Sequence, residues 1–224
     1  DEDIDPGALL RFSPHAPKKS FHRFQHIYGW FLYSLMTIMW VVNKDYKQMI
    51  GYQKRGLIEK QGTTFGKEMT ILIVSKIFYF SYVLVLPLLV TDIHWSIIVG
   101  GFVWAHLIAG LILAAIFQPA HVLPENTYPL PVDPGVIEDS FMIHQLRTTA
   151  DFAHRNRLLS WYVGGLNYQV EHHLFPNICH VHYRKLAPIV AETAREFNVP
   201  YHSFETFRGA LKAHHKMLFQ LGRT

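Results

Sequence analysis

The sequence predicts an all-α integral membrane protein: a transmembrane helical hairpin, an interfacial helix and a helical cytosolic cap. Three observations carry this expectation. Half of the 224 residues are hydrophobic and 17% are charged, which is apolar for a soluble chain. The apolar residues are gathered into blocks long enough to cross a bilayer. The more polar remainder, from residue 118 onward, holds a dense histidine cluster and two amphipathic helical patterns.

Residues 1–23 are expected as a cytosolic segment, opening on "DEDID" and carrying Lys18, Lys19 and Arg23. Residues 24–42, "FQHIYGWFLYSLMTIMWVV", are uncharged, rich in aromatics and long enough to span. The surrounding charge argues for another placement. The loop 43–69 holds six basic residues (Lys44, Lys47, Lys54, Arg55, Lys60, Lys67) against three acids, so both flanks of the run prefer the cytoplasm. The run is therefore read as an interfacial or re-entrant helix with its Trp and Tyr at headgroup depth, a third full span being the alternative.

Residues 70–117 are expected to form the transmembrane hairpin. Its first arm, 70–90, is broken only by Lys76; its second, 95–117, carries no formal charge; "TDIH" joins them. Either arm covers a hydrocarbon core of about 30 Å at about 1.5 Å per residue. The stem of Lys76 is expected to reach back toward the cytoplasmic surface, and Pro87 to kink its helix.

Residues 118–224 make up the cap. The four prolines of 122–135 read as an extended connector. Residues 140–156 read as a helix, Gly164 and Gly165 break the chain before the histidines, and 183–197 and 204–220 read as amphipathic helices split by Val199-Pro200. The formal net charge of +4 fits membrane orientation and excludes nucleic-acid binding as the leading reading. Fifteen histidines against the single Cys179 point away from a disulfide framework and from zinc-thiolate sites.

The histidines concentrate in "NYQVEHHLFPNICHVH", residues 167–182. On a helix Gln169, His172 and His173 stand at i, i+3 and i+4 and project from one face, while Glu171 lies on the opposite side and need not take part. Neutral imidazole suits iron, copper, zinc or nickel; the bland reading is a set of surface histidines near a membrane. The zinc-protease pattern H-E-x-x-H and the E-x-x-H pairs of soluble di-iron bundles are absent from the sequence.

"GGLNYQVEHHLFPNICHVHY" resembles the third histidine box, Q-x-x-H-H, of the membrane fatty acid desaturases, above all the front-end acyl desaturases. "DEDIDPGALLRFSP" and "HQLRTTADF" also resemble that family, particularly its bacterial acyl-CoA and linoleoyl-CoA members. The resemblance implies a helical membrane bundle with a cytosolic cap and an oxygen-dependent desaturation of an acyl chain at a di-iron centre. It makes His172 and His173 iron ligands and Gln169 the polar first position of the box. His121, in "FQPAHV", resembles a further ligand at the cytosolic end of the last membrane helix, and Gln118, one turn earlier, falls near the site. The family's other boxes, H-x-x-x-H and H-x-x-H-H, lie upstream of a stretch like "DEDID". On that alignment the chain is a C-terminal part lacking both, unable to complete two Fe ions by itself.

The same resemblance implies an acyl-CoA or acyl-lipid substrate, O2, membrane lipid and electrons from a cytochrome b5-like domain or a ferredoxin. Because the second and third boxes must meet, the chain between them crosses the membrane an even number of times, which one hairpin satisfies. A membrane lipid hydroxylase on the same scaffold is an alternative. So, from another class, is a non-catalytic histidine-rich membrane metal-binding protein, which needs polar residues paired across both spans.

The remaining histidines carry weaker expectations. His180 and His182 read as hydrogen-bond partners of the ligands, as contacts for an acyl carrier's phosphates, or as solvated residues. His144 and His154 flank Thr148 and Thr149, read as packing in the cap or as lining a substrate tunnel. His106, mid-span, is either structural and hydrogen-bonded to a neighbouring helix or functional. His15, His22 and His26 read as part of the interfacial anchor, and His214 and His215 as surface.

Overall fold

The structure is a computed structural model describing residues 7–132 and 136–224, so "DEDID" and the end of the proline-rich connector lie outside the described residues. The chain divides into two compact units, Phe31–Ala114 and a second built from the residues up to Trp30 together with Ala115–Thr224.

Helix begins early. A 3-10 turn, Ser20–Phe24, leads into α1 (Gln25–Ser34), α2 (Met36–Met39), a π turn over Trp40–Lys44, α3 (Asp45–Lys54) and α4 (Leu57–Lys60). The first long rod comprises α5 (Phe65–Phe80), a π turn at Ser81–Val85 and α6 (Leu86–Val90). It starts before the apolar run because the Thr64 side chain accepts from Lys67 N, capping an otherwise orphaned donor. The π turn immediately precedes Pro87, which has no N–H to offer the preceding turn. The second rod, α7 (Trp95–His121), continues past the apolar run through Gln118 to His121. Both rods are long and apolar enough to cross a membrane, and few of their residues are fully buried within the protein. Phe78 is 73% exposed and Leu89 77%, as side chains facing lipid would be.

Within the Phe31–Ala114 unit, polar groups tie the helices together. A Cβ on Gly110 would come within 2.4 Å of the Ser34 carbonyl oxygen, so only glycine permits this approach. Tyr79 Oη lies 2.8 Å from His106 Nε2, and Thr37 Oγ1 lies 3.1 Å from His106 Nδ1. Both ring nitrogens are thus occupied, which is the structural role weighed for this residue. The Lys76 ammonium reaches back to Asp45 of α3, within the loop 43–69 that precedes the rod. A carboxylate within reach of a short stretch of stem compensates the charge where it stands.

In the cap, the expected helix over 140–156 ends early. Helix α8 (Phe141–Thr148) stops at Thr149, whose backbone is extended, and Ala150–Phe152 form β1. β1 pairs in parallel with β2 (His202–Phe204), in the register Ala150↔His202, Asp151↔Ser203 and Phe152↔Phe204. The all-α expectation is corrected to this extent: local pattern favoured helix, but the ladder with a strand 50 residues away wins. Helix α9 (Arg157–Tyr162) follows, then the turn at Gly164 and Gly165, both at positive φ. A Cβ on Gly165 would also lie 2.9 Å from His180 Cβ. Next come α10 (Gln169–Leu174), a 3-10 turn at His180–His182, α11 (Tyr183–Glu196) and α12 (Phe207–Leu221). Phe152, Ala153, Val163, Ala210 and Ile116 form one core cluster, and Leu146, Val170 and Val190 another.

Two histidines read as exposed or interfacial are core residues. His22 is buried, with Nε2 3.2 Å from the Ala8 carbonyl oxygen and Nδ1 accepting from Lys19 N. His214 is fully buried, its Nδ1 2.9 Å from Val122 O and its ring edge-on to Trp30; the neighbouring His215 is exposed. Adjacent helical positions point about 100° apart, and α12 turns the first of the pair inward. Burial pushes the His214 pKa down to about 4. The unfolded chain therefore binds a proton here between about pH 4 and 6.5 that the folded chain refuses, so stability from this residue is lost as pH falls through that window. Melting curves of the wild type and His214→Gln from pH 7 to pH 4 are expected to show the wild type's relative advantage shrinking as pH falls.

Candidate metal centre

The last turn of α7 and the helix α10 belong to the same compact unit. Gln169, Val170 and Glu171 of α10 are buried, and His172 and His173 are half-buried. The His173 ring centroid lies 5.0 Å from that of His121 and 5.6 Å from that of His172. The three imidazoles are thereby gathered from residues 51 positions apart into one group. Tyr183 Oη stands 3.5 Å from His172 Nδ1.

Two observations bear on whether this group could hold a metal. Neither polar atom of the fully buried Gln169 amide makes a hydrogen bond of good geometry, although the amide lies against His121, and Oε1 of Gln118, one turn before His121, has no partner. Buried amides left unpaired cost about 1–3 kcal/mol each unless an ion or water completes them. The donors are also in the right state. Burial lowers the pKa of His172, and burial together with the neighbouring His172 lowers that of His173 to about 4. Both are neutral near pH 7, the form that binds metal.

The other residues expected near the site divide. Asn126 Nδ2 donates to the carbonyls of Ala120, His121 and Thr148, locking the end of α7 to the end of α8. This brings Thr148 and Thr149 beside His121. Thr148 Oγ1 donates to His144 O, whereas buried Thr149 Oγ1 and His144 Nδ1 have no partner. His180 and His182 are exposed on their own 3-10 turn rather than within the buried group. His22 and His26 also have the H-x-x-x-H spacing. His22 is spent on backbone partners, and His26 packs against Phe219 and His215.

Glu171 does take part in a polar cluster, on the far side of α10. Tyr201 Oη lies 2.7 Å from Asp151 Oδ2 and 3.1 Å from Glu171 Oε1, and His154 Nε2 lies 2.8 Å from Asp151 Oδ2. Burial first, and the nearby Asp151 second, raise the Glu171 pKa above the ordinary carboxylate value. The ligand atoms of Asp151, His154 and Glu171 lie within 4.8 Å of one another, close enough for a cation. Tyr201, His154 and the Val170 N–H engage both Asp151 oxygens and Glu171 Oε1, while buried Glu171 Oε2 has no partner. Sequence reasoning missed Asp151 and Tyr201. The available signal was an acid enclosed by apolar residues in "TADFA", a charge that burial would force into partnership.

A mostly helical chain with two bilayer-length apolar helices has the build of a membrane protein, and its cap gathers three imidazoles into one group. The fatty acid desaturase family model matches residues 1–205; the chain belongs to the fatty acid desaturase family. It is 36% identical over 218 residues to the sn-1 linoleoyl-lipid 6-desaturase of Arthrospira platensis, covering 97% of this chain and 58% of the relative. It is 33% identical to the sn-1 linoleoyl-lipid 6-desaturase of Synechocystis sp., covering 100% of this chain and 62% of that relative. The acyl-lipid (8-3)-desaturase of Physcomitrium patens is 35% identical over 100% of this chain and 46% of its own length. The chain thus spans about three-fifths or less of these relatives. No solved structure matches.

Proposed function

We propose that these residues carry the third-box half of an oxygen-dependent fatty acyl desaturase. The observation that supports it most is the convergence of His121, His172 and His173 around the buried amide of Gln169. In this reading His121, His172, His173 and Gln169 hold part of a two-iron centre, the other ligands coming from sequence outside these 224 residues. When bound, the irons supply the oxidant that an unactivated C–H bond demands and no side chain provides. Overall, two hydrogens leave adjacent methylenes and dioxygen leaves as two waters, a cytochrome b5-like domain or a ferredoxin supplying two electrons and the solvent two protons.

The chain's own residues hold the imidazoles neutral and aimed. Burial of His173 excludes the proton that would compete with a metal. Asn126, through three backbone carbonyls, keeps His121 against the cap. The names of the relatives favour an acyl-lipid over an acyl-CoA substrate. The basic loop 43–69 supports a cytosolic box, with 24–42 interfacial or re-entrant and the two rods as a hairpin.

Expression of the full-length protein with its electron donor, followed by acyl-chain analysis, tests the proposal. An iron-dependent new double bond is expected. Hydroxylated chains would reassign it to a hydroxylase, and stoichiometric iron without either product to a binding protein. The isolated 224 residues are expected to bind iron weakly and to form no product.

A further inference from the structure

A helix begins with N–H groups that have no intrahelical acceptor, and a side chain at the N-cap usually takes one of them. In α10 that position is Tyr168, whose side chain makes no capping bond. The acceptor comes from elsewhere in the chain: buried Val170 N donates to Asp151 Oδ1 at 2.8 Å. Asp151 is fully buried in β1, where its backbone is held by the ladder opposite Ser203. Its second oxygen, Oδ2, lies 2.8 Å from His154 Nε2 and 2.7 Å from Tyr201 Oη. The His154 ring in turn stacks on Tyr168 at 4.6 Å and 7°, and Tyr168 Oη donates to His154 O. Asn167 closes the frame, its Nδ2 donating to Phe152 O and its carbonyl accepting from Phe152 N.

We propose that Asp151 is a positioning residue for the metal centre: by capping the histidine-box helix from strand β1, it sets the rotation at which His172 and His173 meet His121. The inference rests on the reading of these histidines as ligands. A six-residue helix has too few bonds of its own to hold an orientation. An external side-chain acceptor supplies a fixed point at the helix N-terminus. Side chains behind metal ligands typically govern about 10–100-fold of affinity, and Asp151 acts through the helix instead of through a ring nitrogen.

The test uses the full-length protein and three substitutions, read by iron affinity and by hydrogen–deuterium exchange of the segment 166–175 in metal-free protein. Asp151→Asn keeps a carbonyl oxygen where Oδ1 stands, and is expected to retain protection and near-wild-type affinity. Asp151→Ala removes the acceptor and Asp151→Glu displaces it by one methylene. Both are expected to speed exchange about tenfold or more and to weaken iron about 10–100-fold. Should alanine fail to fold, the Asn and Glu pair still decides. Leu218→Ala, a fully buried core change on α12, is expected to lower the melting temperature without altering iron affinity. Wild-type exchange and affinity in all three Asp151 variants would overturn the inference, as would rescue by Glu with loss in Asn. His172→Ala separates the two layers. If it leaves iron bound as in wild type, the ligand reading falls; if it loses iron while Asp151→Ala does not, only the positioning role falls.

Discussion

In the full-length protein, His172→Ala and His173→Ala are each expected to abolish iron retention and the formation of unsaturated acyl product, whereas His215→Ala leaves both unchanged. The contrast isolates position from residue type. His173 stands 5.0 Å from His121 between ring centroids, beside a buried amide without a hydrogen bond of good geometry, while His215 is exposed on α12. Groups that merely orient a ligand account for about 10–100-fold, so loss of a ligand is expected to cost at least about 100-fold in product. Iron quantification and acyl-chain chromatography on the same membranes read both outcomes. Product retained in either variant would refute the assigned ligands.

Phe152→Ala is expected to give the largest loss of stability, about 3–5 kcal/mol, the range for truncating a fully buried aromatic ring. Phe152 is 0% exposed and packs with Ile116, Val163 and Ala210, its ring 5.4 Å from that of Phe207. Successive strand residues face opposite ways. The cavity therefore opens on the core side of β1, while the adjacent Asp151 caps α10 from the other side. Melting temperature should fall steeply, and iron affinity of the remaining folded protein should fall less than in Asp151→Ala. A variant as stable as wild type would show that the core around β1 is not what holds the cap together.

Much of the architecture was legible in one pass along the chain, because the features concerned are local. The apolar runs 70–90 and 95–117 lie inside helices Phe65–Val90 and Trp95–His121. The amphipathic patterns became α11 and α12, and Q-x-x-H-H placed three side chains on one face of α10. The failures share a cause. Residues 140–156 have no helical interruption in their own pattern, and only pairing with His202–Phe204 makes Ala150–Phe152 a strand. His214 and His215 are equivalent in sequence until α12 buries one of them.

By itself, then, the amino-acid order determined that bilayer-length helices form and that an imidazole-bearing turn of helix follows them, since hydrophobic run length and i, i+3, i+4 spacing depend only on near neighbours. Tertiary structure alone decided which buried polar groups find partners. His121 meets His173 across 52 positions, and Asp151 reaches Val170 and Tyr201 across 19 and 50. A charge or amide withdrawn from water must be matched by whatever group the folded chain brings beside it, and that neighbour is set by the fold.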